Sequence, residues 1–355
     1  MMAPRYHALR IAEVRPETSD CISVTFDLPP ELTPEYRFIQ GQHIGLRTTL
    51  DGEELRRSYS ICSGVDDGEI RVAIKKVGGG KFSRWANDAL KPGDSIDVLT
   101  PEGRFFTALD SSRSKHYAAF VAGSGITPVL SLIRTTLARE PKSRFTLVYG
   151  NRRQSSVMFH EALEDLKDRY LSRFSLFNVF SREAQDVELF NGRIDAAKVK
   201  QFLESLVPPD TIDEAFVCGP LTMIDEVEVA LIAAGVPAQH VHVERFGIPT
   251  GSLQTIDDTE AAQSHIELII DGVRREADFM PGQHSILDAG RAAGIDLPFS
   301  CKGGMCSTCR AKVLEGQVRM AKNYALEPYE VAGGFVLTCQ SYPLTERVVI
   351  SYDAR

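Results

Sequence analysis

The stretch Ser300-Cys301-Lys302-Gly303-Gly304-Met305-Cys306-Ser307-Thr308-Cys309 decides how the C-terminal part of this chain folds. Three of the seven cysteines stand within it, spaced Cys301-x4-Cys306-x2-Cys309, and Cys339 follows downstream. Four thiolates at this spacing suit a [2Fe–2S] cluster. Gly303 and Gly304, with Ser300, Ser307 and Thr308 beside the cysteines, let the backbone wrap closely and turn N–H groups toward sulfur, which helps set a cluster's reduction potential. A four-cysteine zinc site is the alternative. Such sites usually pair two short Cys-x2-Cys knuckles, whereas here there is one knuckle, one longer step and a lone distant cysteine.

Working outward, residues 265–270 and 274–277 read as a hairpin around Asp271-Gly272. Ser285-Ile286-Leu287-Asp288 reads as a capping box opening a short helix, and residues 347–352 as a last strand. Hairpin, helix and cysteine loop in this order resemble a plant-type ferredoxin domain of the β-grasp kind, over residues 264–355. Residues 249–263 are polar and aperiodic and read as a linker.

The chain has 355 residues, enough for two or three domains, and its 43% hydrophobic and 25% charged residues exclude collagen-like and disordered classes. A net charge of −8 argues against nucleic-acid binding, which needs clustered Lys and Arg. Seven cysteines are too few for a disulfide scaffold, and with no signal-like or membrane-length apolar run a cytoplasmic location is expected. From residue 264 onward, 3 Lys and 7 Arg stand against 5 Asp and 6 Glu. A module this close to neutral, held on a linker, is expected to meet its electron donor without strong electrostatic steering.

Residues 1–108 read as many short strands separated by Asp51-Gly52, Asp67-Gly68 and Pro92-Gly93, with one helix-like patch over 83–90. This pattern predicts a small antiparallel barrel. Within it, Arg57-Ser58-Tyr59-Ser60 combines a ring that can stack, a guanidinium for a diphosphate and hydroxyls for ring nitrogens. Gly80-Lys81-Phe82-Ser83 opens the helical patch, where a helix N-terminus favours an anion. Lys75 and Val77, read as lying on the strand between these motifs, are further candidates. Gly78-Gly79-Gly80-Lys81 is not a P-loop, because Phe82 follows the lysine and the glycine spacing is wrong.

Residues 109–248 alternate buried strands (116–122, 145–149, 174–180, 214–218) with helices (to 137, 159–169, 196–205, 223–234), the signature of a parallel sheet covered on both faces. Gly123-Ser124-Gly125-Ile126-Thr127-Pro128 follows the first strand and opens a helix, as a pyrophosphate-binding turn does. Cys218-Gly219-Pro220 ends the last strand on the edge where ligands bind. Asn151-Arg152 and Ser181-Arg182 end the intervening strands, and clustered arginines there favour a phosphate.

Taken together these motifs resemble the ferredoxin–NADP reductase family. The resemblance implies FAD held by Arg57, Ser58, Tyr59, Ser60, Gly80, Lys81, Phe82 and Ser83, with Lys75 and Val77 beside them. It implies NADPH, as substrate, held by Gly123, Gly125, Thr127, Pro128, Asn151, Arg152, Ser181, Arg182, Cys218, Gly219 and Pro220. It makes Ser60, beside the flavin, and Cys218, beside the nicotinamide, the catalytic neighbours, and Cys301, Cys306, Cys309 and Cys339 the metal ligands. The expected protein is a three-module oxidoreductase: an antiparallel barrel, a parallel α/β domain and a ferredoxin. It would take hydride from NADPH onto FAD and pass electrons singly to [2Fe–2S].

The C-terminal residues, with Asn323-Tyr324-Ala325-Leu326-Glu327-Pro328, Val336-Leu337-Thr338-Cys339-Gln340 and Glu244-Arg245-Phe246, are similar to the reductase-subunit family of phenylacetyl-CoA epoxidases. That likeness implies as partner the di-iron oxygenase subunits of such an epoxidase complex. A reductase for a ring-hydroxylating or steroid hydroxylase, and a non-catalytic iron–sulfur carrier or redox sensor, are the other readings. The chain has no Glu-x-x-His pair of the kind a di-iron bundle uses, so oxygen chemistry belongs elsewhere.

Overall fold

The structure, a computed structural model, describes residues 5–246, 263–280 and 282–354. The linker expected over 249–263 lies outside these residues except for Gln263.

The first module contains β1 (Tyr6–Thr18), β2 (Cys21–Asp27), β3 (His43–Leu50), β4 (Glu53–Ser60), β5 (Ile70–Lys75), helix α1 (Lys81–Ala89) and β6 (Ser95–Leu99). Its antiparallel sheet runs β4-β3-β6-β1-β2-β5. A bridge between Ile61 and Val72 joins the two ends, so the sheet closes as a barrel. Alternate residues such as Leu9, Ile11, Val24, Ile44, Leu46, Val72 and Val98 turn inward and fill it. Phe82 and Ala86 of α1 pack against the same core. The helix begins two residues before the expected patch, at Lys81, because Gly80 supplies an extended N-cap. Val77 lies past the end of β5, which corrects its placement on the strand; it is 64% exposed.

The second module follows as β7 (His116–Ala122), α2 (Ile126–Arg139), β8 (Arg144–Asn151), α3 (His160–Arg169), β9 (Phe174–Phe180), α4 (Ala196–Ser205), β10 (Glu214–Gly219), α5 (Leu221–Ala233) and β11 (Val241–Arg245). All strands are parallel, in the order β11-β10-β7-β8-β9. On β7, Tyr117, Ala119 and Val121 face one core with α2 and α3, while Ala118 and Phe120 face the other with α4 and α5. The order reverses between β7 and β10, and a crevice at such a switch point is where ligands bind.

The third module comprises β12 (Ser264–Ile270), β13 (Val273–Phe279), α6 (Ile286–Ala292), β14 (Arg310–Glu315), β15 (Val318–Met320), α7 (Pro328–Ala332), β16 (Phe335–Leu337), β17 (Ser341–Pro343) and β18 (Arg347–Ser351). The mixed sheet runs β13-β12-β18-β14-β16, with β15 and β17 paired apart. Asp271 and Gly272 both take positive φ, as the tight hairpin requires, and both donate N–H to the Asp353 carboxylate at 2.8 Å. At α6 the expected capping box is half made. Ser285 Oγ accepts from Asp288 N at 3.1 Å, but Asp288 takes the Ser285 hydroxyl at 2.8 Å, its side chain being too short to reach back to the Ser285 backbone.

The ferredoxin module sits on the barrel through charged contacts. Asp296 pairs with Arg56 at 2.9 Å and Arg47 at 3.4 Å, Arg291 with Glu54 at 3.6 Å, and Arg5 with Asp271 at 3.1 Å. Arg104 pairs with Glu330, which also holds Arg310 at 2.8 Å. The expected absence of strong steering concerns the approach of the module; once seated, it is held by these ion pairs. A near-neutral sum hides charges placed opposite those of the barrel.

Candidate functional site

Antiparallel pairing of β3 and β4 sets the flavin motif opposite known neighbours: Leu46 faces Arg57, Gly45 Ser58, Ile44 Tyr59 and His43 Ser60. The Arg57 guanidinium is exposed and, among the described residues, bonds only the Arg56 carbonyl, at 2.7 Å, leaving it available to an anion. Ser58 Oγ is buried without a partner, an orphaned hydroxyl suited to a bound polar ring. The Tyr59 ring rests on Phe82 at 5.7 Å, and Phe82 on Trp85 at 5.5 Å. Phe82 is thus a core side chain behind Tyr59. Ser83 Oγ accepts from Val77 N at 3.1 Å and closes the turn before α1. There Gly79, Gly80, Lys81, Arg84 and Trp85, with Thr49 across from them, line a groove of about 530 Å³. Lys81 reaches over to Glu53 at 2.5 Å, and Lys75 to Asp20 at 3.6 Å. The orphaned hydroxyl, the free arginine and the groove at a helix N-terminus fit a flavin dinucleotide.

In the second module the turn Gly123–Gly125 leads straight into α2. Gly123 has φ +55°, and a Cβ on Gly125 would stand 2.2 Å from the Cys218 carbonyl oxygen. Glycine at 125 is thus required by the close approach of β10. Thr127 Oγ1 donates to the Ser124 carbonyl at 2.9 Å, so the threonine holds the turn, and Pro128 is buried in the first turn of the helix. Asn151 is buried with Nδ2 unpartnered. Backbone bonds Ser181 N to Asn151 O at 3.0 Å and Arg182 N to Arg152 O at 2.9 Å bring these two strand ends together. Arg152, Arg153 and Arg182 are exposed and make no ion pair among the described residues. An unpartnered amide and three guanidinium groups at strand ends, together with the glycine turn that opens α2, fit a nicotinamide dinucleotide.

The two modules meet at Ser60. Its hydroxyl donates to Glu244 Oε2 at 3.2 Å, and Glu244 stands beside Cys218 in the β10–β11 pairing. Burial pushes the Glu244 carboxyl up to about 8, against the pull of the Ser60 bond, and raises the Cys218 thiol as well. Gly219 and Pro220 carry the chain from β10 into α5, and Arg245 ties β11 to α5 through Asp225 at 2.9 Å and Glu228 at 3.1 Å. Glu244 enters the sequence reading only within the Glu244-Arg245-Phe246 resemblance; the pairing of β11 with β10 is what brings it beside Ser60 and Cys218.

The four thiols of the third module neighbour one another in two pairs, Cys301 with Cys306 and Cys309 with Cys339. Among the described residues no three His, Cys, Asp or Glu side chains converge as on one metal ion. A two-iron cluster takes two thiolates per iron, so two pairs fit it better than a single tetrahedron does. Gly303 N and Met305 N point to Cys301 Sγ at 3.3 and 3.4 Å, and Cys301 N to Cys306 Sγ at 3.4 Å. The neighbouring Cys306 side chain, with the two N–H groups, draws the Cys301 thiol down to about 7, toward the thiolate a metal needs. Lys302, Gly304 and Ser307 take positive φ to wrap the loop, and Ser300 Oγ and Thr308 Oγ1 are buried without partners beside it. Cys21 and Cys62 are buried free thiols away from the cluster loop.

Family models cover each module: an oxidoreductase FAD-binding domain over residues 8–106, an oxidoreductase NAD-binding domain over 120–228 and a 2Fe-2S iron-sulfur cluster binding domain over 268–344. The chain is 46% identical to a 1,2-phenylacetyl-CoA epoxidase subunit of Escherichia coli K12, over 99% of this chain and 98% of that one. It is 34% identical to the ferredoxin reductase component of 3-ketosteroid-9-alpha-monooxygenase of Mycobacterium tuberculosis, over 97% and 95%. Among solved structures, phthalate dioxygenase reductase superposes with TM-score 0.59 at 24% identity, over 98% of both chains, a likeness of fold.

Proposed function

Because the chain belongs to the family of FAD-, NAD- and 2Fe-2S-binding oxygenase reductases that includes the Escherichia coli 1,2-phenylacetyl-CoA epoxidase protein, we propose that it carries electrons from NADPH to the di-iron oxygenase subunits of a phenylacetyl-CoA epoxidase. The coarse activity comes with the family: an NAD(P)H-dependent oxidoreductase using FAD and [2Fe–2S]. When bound, the flavin supplies the exchange between a two-electron hydride and the one-electron cluster. The observation that carries the reading is the seat of the cluster loop. Backbone at Cys306 lies against His43, and His43 is the strand partner of Ser60 in the flavin motif.

In this reading the boundaries are 1–108, 109–248 and 264–355, joined by 249–263. Arg57, Ser58, Tyr59, Ser60, Gly80, Lys81 and Ser83 hold FAD, with Phe82 behind Tyr59. Tyr59 stacks on the ring, while Arg57 and the N-terminus of α1 offset the diphosphate charge. The turn 123–128 takes the NADPH pyrophosphate, and Arg152, Ser181 and Arg182 take the 2′-phosphate. Glu244, neutral below about pH 8, holds a proton one hydrogen bond from Ser60 Oγ without placing charge at the junction. Cys301, Cys306, Cys309 and Cys339 bind the cluster. A cytoplasmic location belongs to the same reading, supported by seven free thiols.

The test mixes the purified holoprotein with NADPH or NADH, then with oxygenase subunits and phenylacetyl-CoA. NADPH is expected to bleach flavin and cluster absorption faster than NADH, and to support epoxidation. Equal reduction by NADH would remove the role of Ser181 and Arg182. Good dye reduction without epoxidation would move the partner to another oxygenase, such as the ketosteroid type.

A further inference from the structure

The junction between barrel and cluster loop contains a residue that none of the flavin, nicotinamide or cluster motifs includes. His43 opens β3 and is buried. Its backbone is fixed on both sides: it pairs with Ser60 across β4, and it exchanges two bonds with Glu102, His43 N to Glu102 O at 2.7 Å and Glu102 N to His43 O at 2.9 Å. The ring is enclosed as tightly. Gly103 has φ +113°, and a Cβ there would stand 2.8 Å from His43 Nδ1, so only glycine leaves room for the imidazole. Gln42 Nε2 donates to the Gly103 carbonyl at 3.3 Å and holds that turn over the ring. The Cys306 backbone is a near neighbour of the imidazole. Nε2 is buried with no protein partner.

The contact is tethered one residue along the same turn. Arg104 pairs with Glu330, and Glu330 with Arg310, the residue after the ligand Cys309. The turn 102–104 therefore addresses both thiol pairs, Cys306 through His43 and Cys309 through the Arg104–Glu330–Arg310 chain. An aromatic ring between the Ser60 strand and a ligand-bearing backbone keeps water out of the gap and fixes its width.

We propose that His43 is the positioning residue that sets the separation between the flavin site and the cluster, and so the rate at which electrons cross it. The proposal rests on the flavin-to-cluster reading above. Removing the ring leaves a cavity that a rigid loop closes only in part. The cluster loop then sits at a variable distance, and electron transfer slows without any change in hydride delivery.

Stopped-flow reduction of the holoprotein by NADPH separates the two steps, and the dithionite-reduced cluster is examined by electron paramagnetic resonance. In H43A, flavin bleaching is expected within about twofold of wild type. Cluster bleaching should be slower by about tenfold or more, and the resonance lines of the reduced cluster should broaden as the Cys301–Cys309 loop becomes heterogeneous. H43F, which keeps the ring but loses its nitrogens, should recover most of the rate and narrow the lines. Cluster bleaching in H43A within twofold of wild type, with unaltered resonance lines, overturns the proposal. So does an H43F variant as slow as H43A. Failure of NADPH to bleach the flavin of wild type strikes the reductase reading instead, which keeps the two results distinct.

Discussion

A single carboxylate, Glu244, sits where the barrel meets the parallel sheet, and its charge state follows from its surroundings. Burial raises it to about 8 from an ordinary value near 4.5, and one hydroxyl bond from Ser60 does not offset that. The unfolded chain ionises above pH 4.5 and the folded chain only above about 8, so the fold binds the extra proton between them. Stability is therefore fully present below pH 4.5 and is lost as pH rises toward and through 8. Glu244 is only partly buried by surface area, so the loss between pH 6 and 8.5 is expected at about 1–2 kcal/mol. Thermal melts should show wild type falling over this range and E244Q staying flat; a parallel fall in both would assign the slope to other groups. Legibility differs sharply between such residues. Cys301, Cys306 and Cys309 announce themselves because a loop's ligand spacing is local. Glu244 acquires its role from a strand pairing and a contact with Ser60, far away in sequence, which local pattern does not encode.

Among the elements, the second module was readable nearly residue by residue, since buried strands and amphipathic helices have distinct periods. The expected strands at 116–122 and 174–180 and the helix at 196–205 coincide with β7, β9 and α4. The length of β1 and the presence of β11 were not readable. Two register shifts in β1 break its alternation over 13 residues, and every residue of β11 is half-buried, so neither shows a clean period. Strand β10 carries a second buried carboxylate that runs opposite to Glu244. Burial alone would raise Glu214, but hydrogen bonds from His242 at 2.9 Å and Lys115 at 2.5 Å outweigh it and hold it down at about 2. Its stabilisation is present above its ordinary value of 4.5 and is lost as pH falls through 2. It ties β10 to β11 and to Lys115, the residue before β7, at the end of the sheet away from Cys218. E214Q is expected to cost about 1–3 kcal/mol at pH 7 and to weaken the acid dependence of unfolding between pH 4.5 and 2, with NADPH-driven flavin bleaching unchanged. An acid-unfolding profile superimposable on wild type would show that the His242 and Lys115 bonds contribute nothing net.

At the scale of the whole molecule, the modules were legible and their docking was not. A net charge counts residues, whereas docking depends on which charges face each other. Arg56 is the centre of that contact. It is 5% exposed and donates to Asp296 at 2.9 Å and to the Leu297 carbonyl at 3.2 Å, and its guanidinium lies 4.2 Å from the Phe299 ring centroid and 5.1 Å from that of Tyr6. Tyr6 in turn donates to the Phe299 carbonyl at 3.5 Å. These partners lie in the segment that leads into the cluster loop, so Arg56 holds the loop's approach while His43 fills its tip. Asp296 is a 68% exposed side chain, so removing Arg56 does not strand a buried charge, and the cost falls on docking more than on folding. Losing a charged hydrogen bond and its ring contacts weakens the contact by about 1–3 kcal/mol, which is a rise of about five- to 150-fold in the undocked population. R56M, which keeps an apolar stem in the pocket, should lose less. Small-angle scattering of R56A should show a larger radius of gyration and stopped flow a slower cluster reduction, both recovering in part in R56M. Raising salt should weaken Arg47–Asp296 and Arg291–Glu54, which are more exposed, while leaving the buried Arg56 contact in place. Wild type should then stay compact at salt concentrations that open R56A further. If salt alone opened wild type as far as the R56A substitution does, the rim pairs rather than Arg56 would hold the modules together.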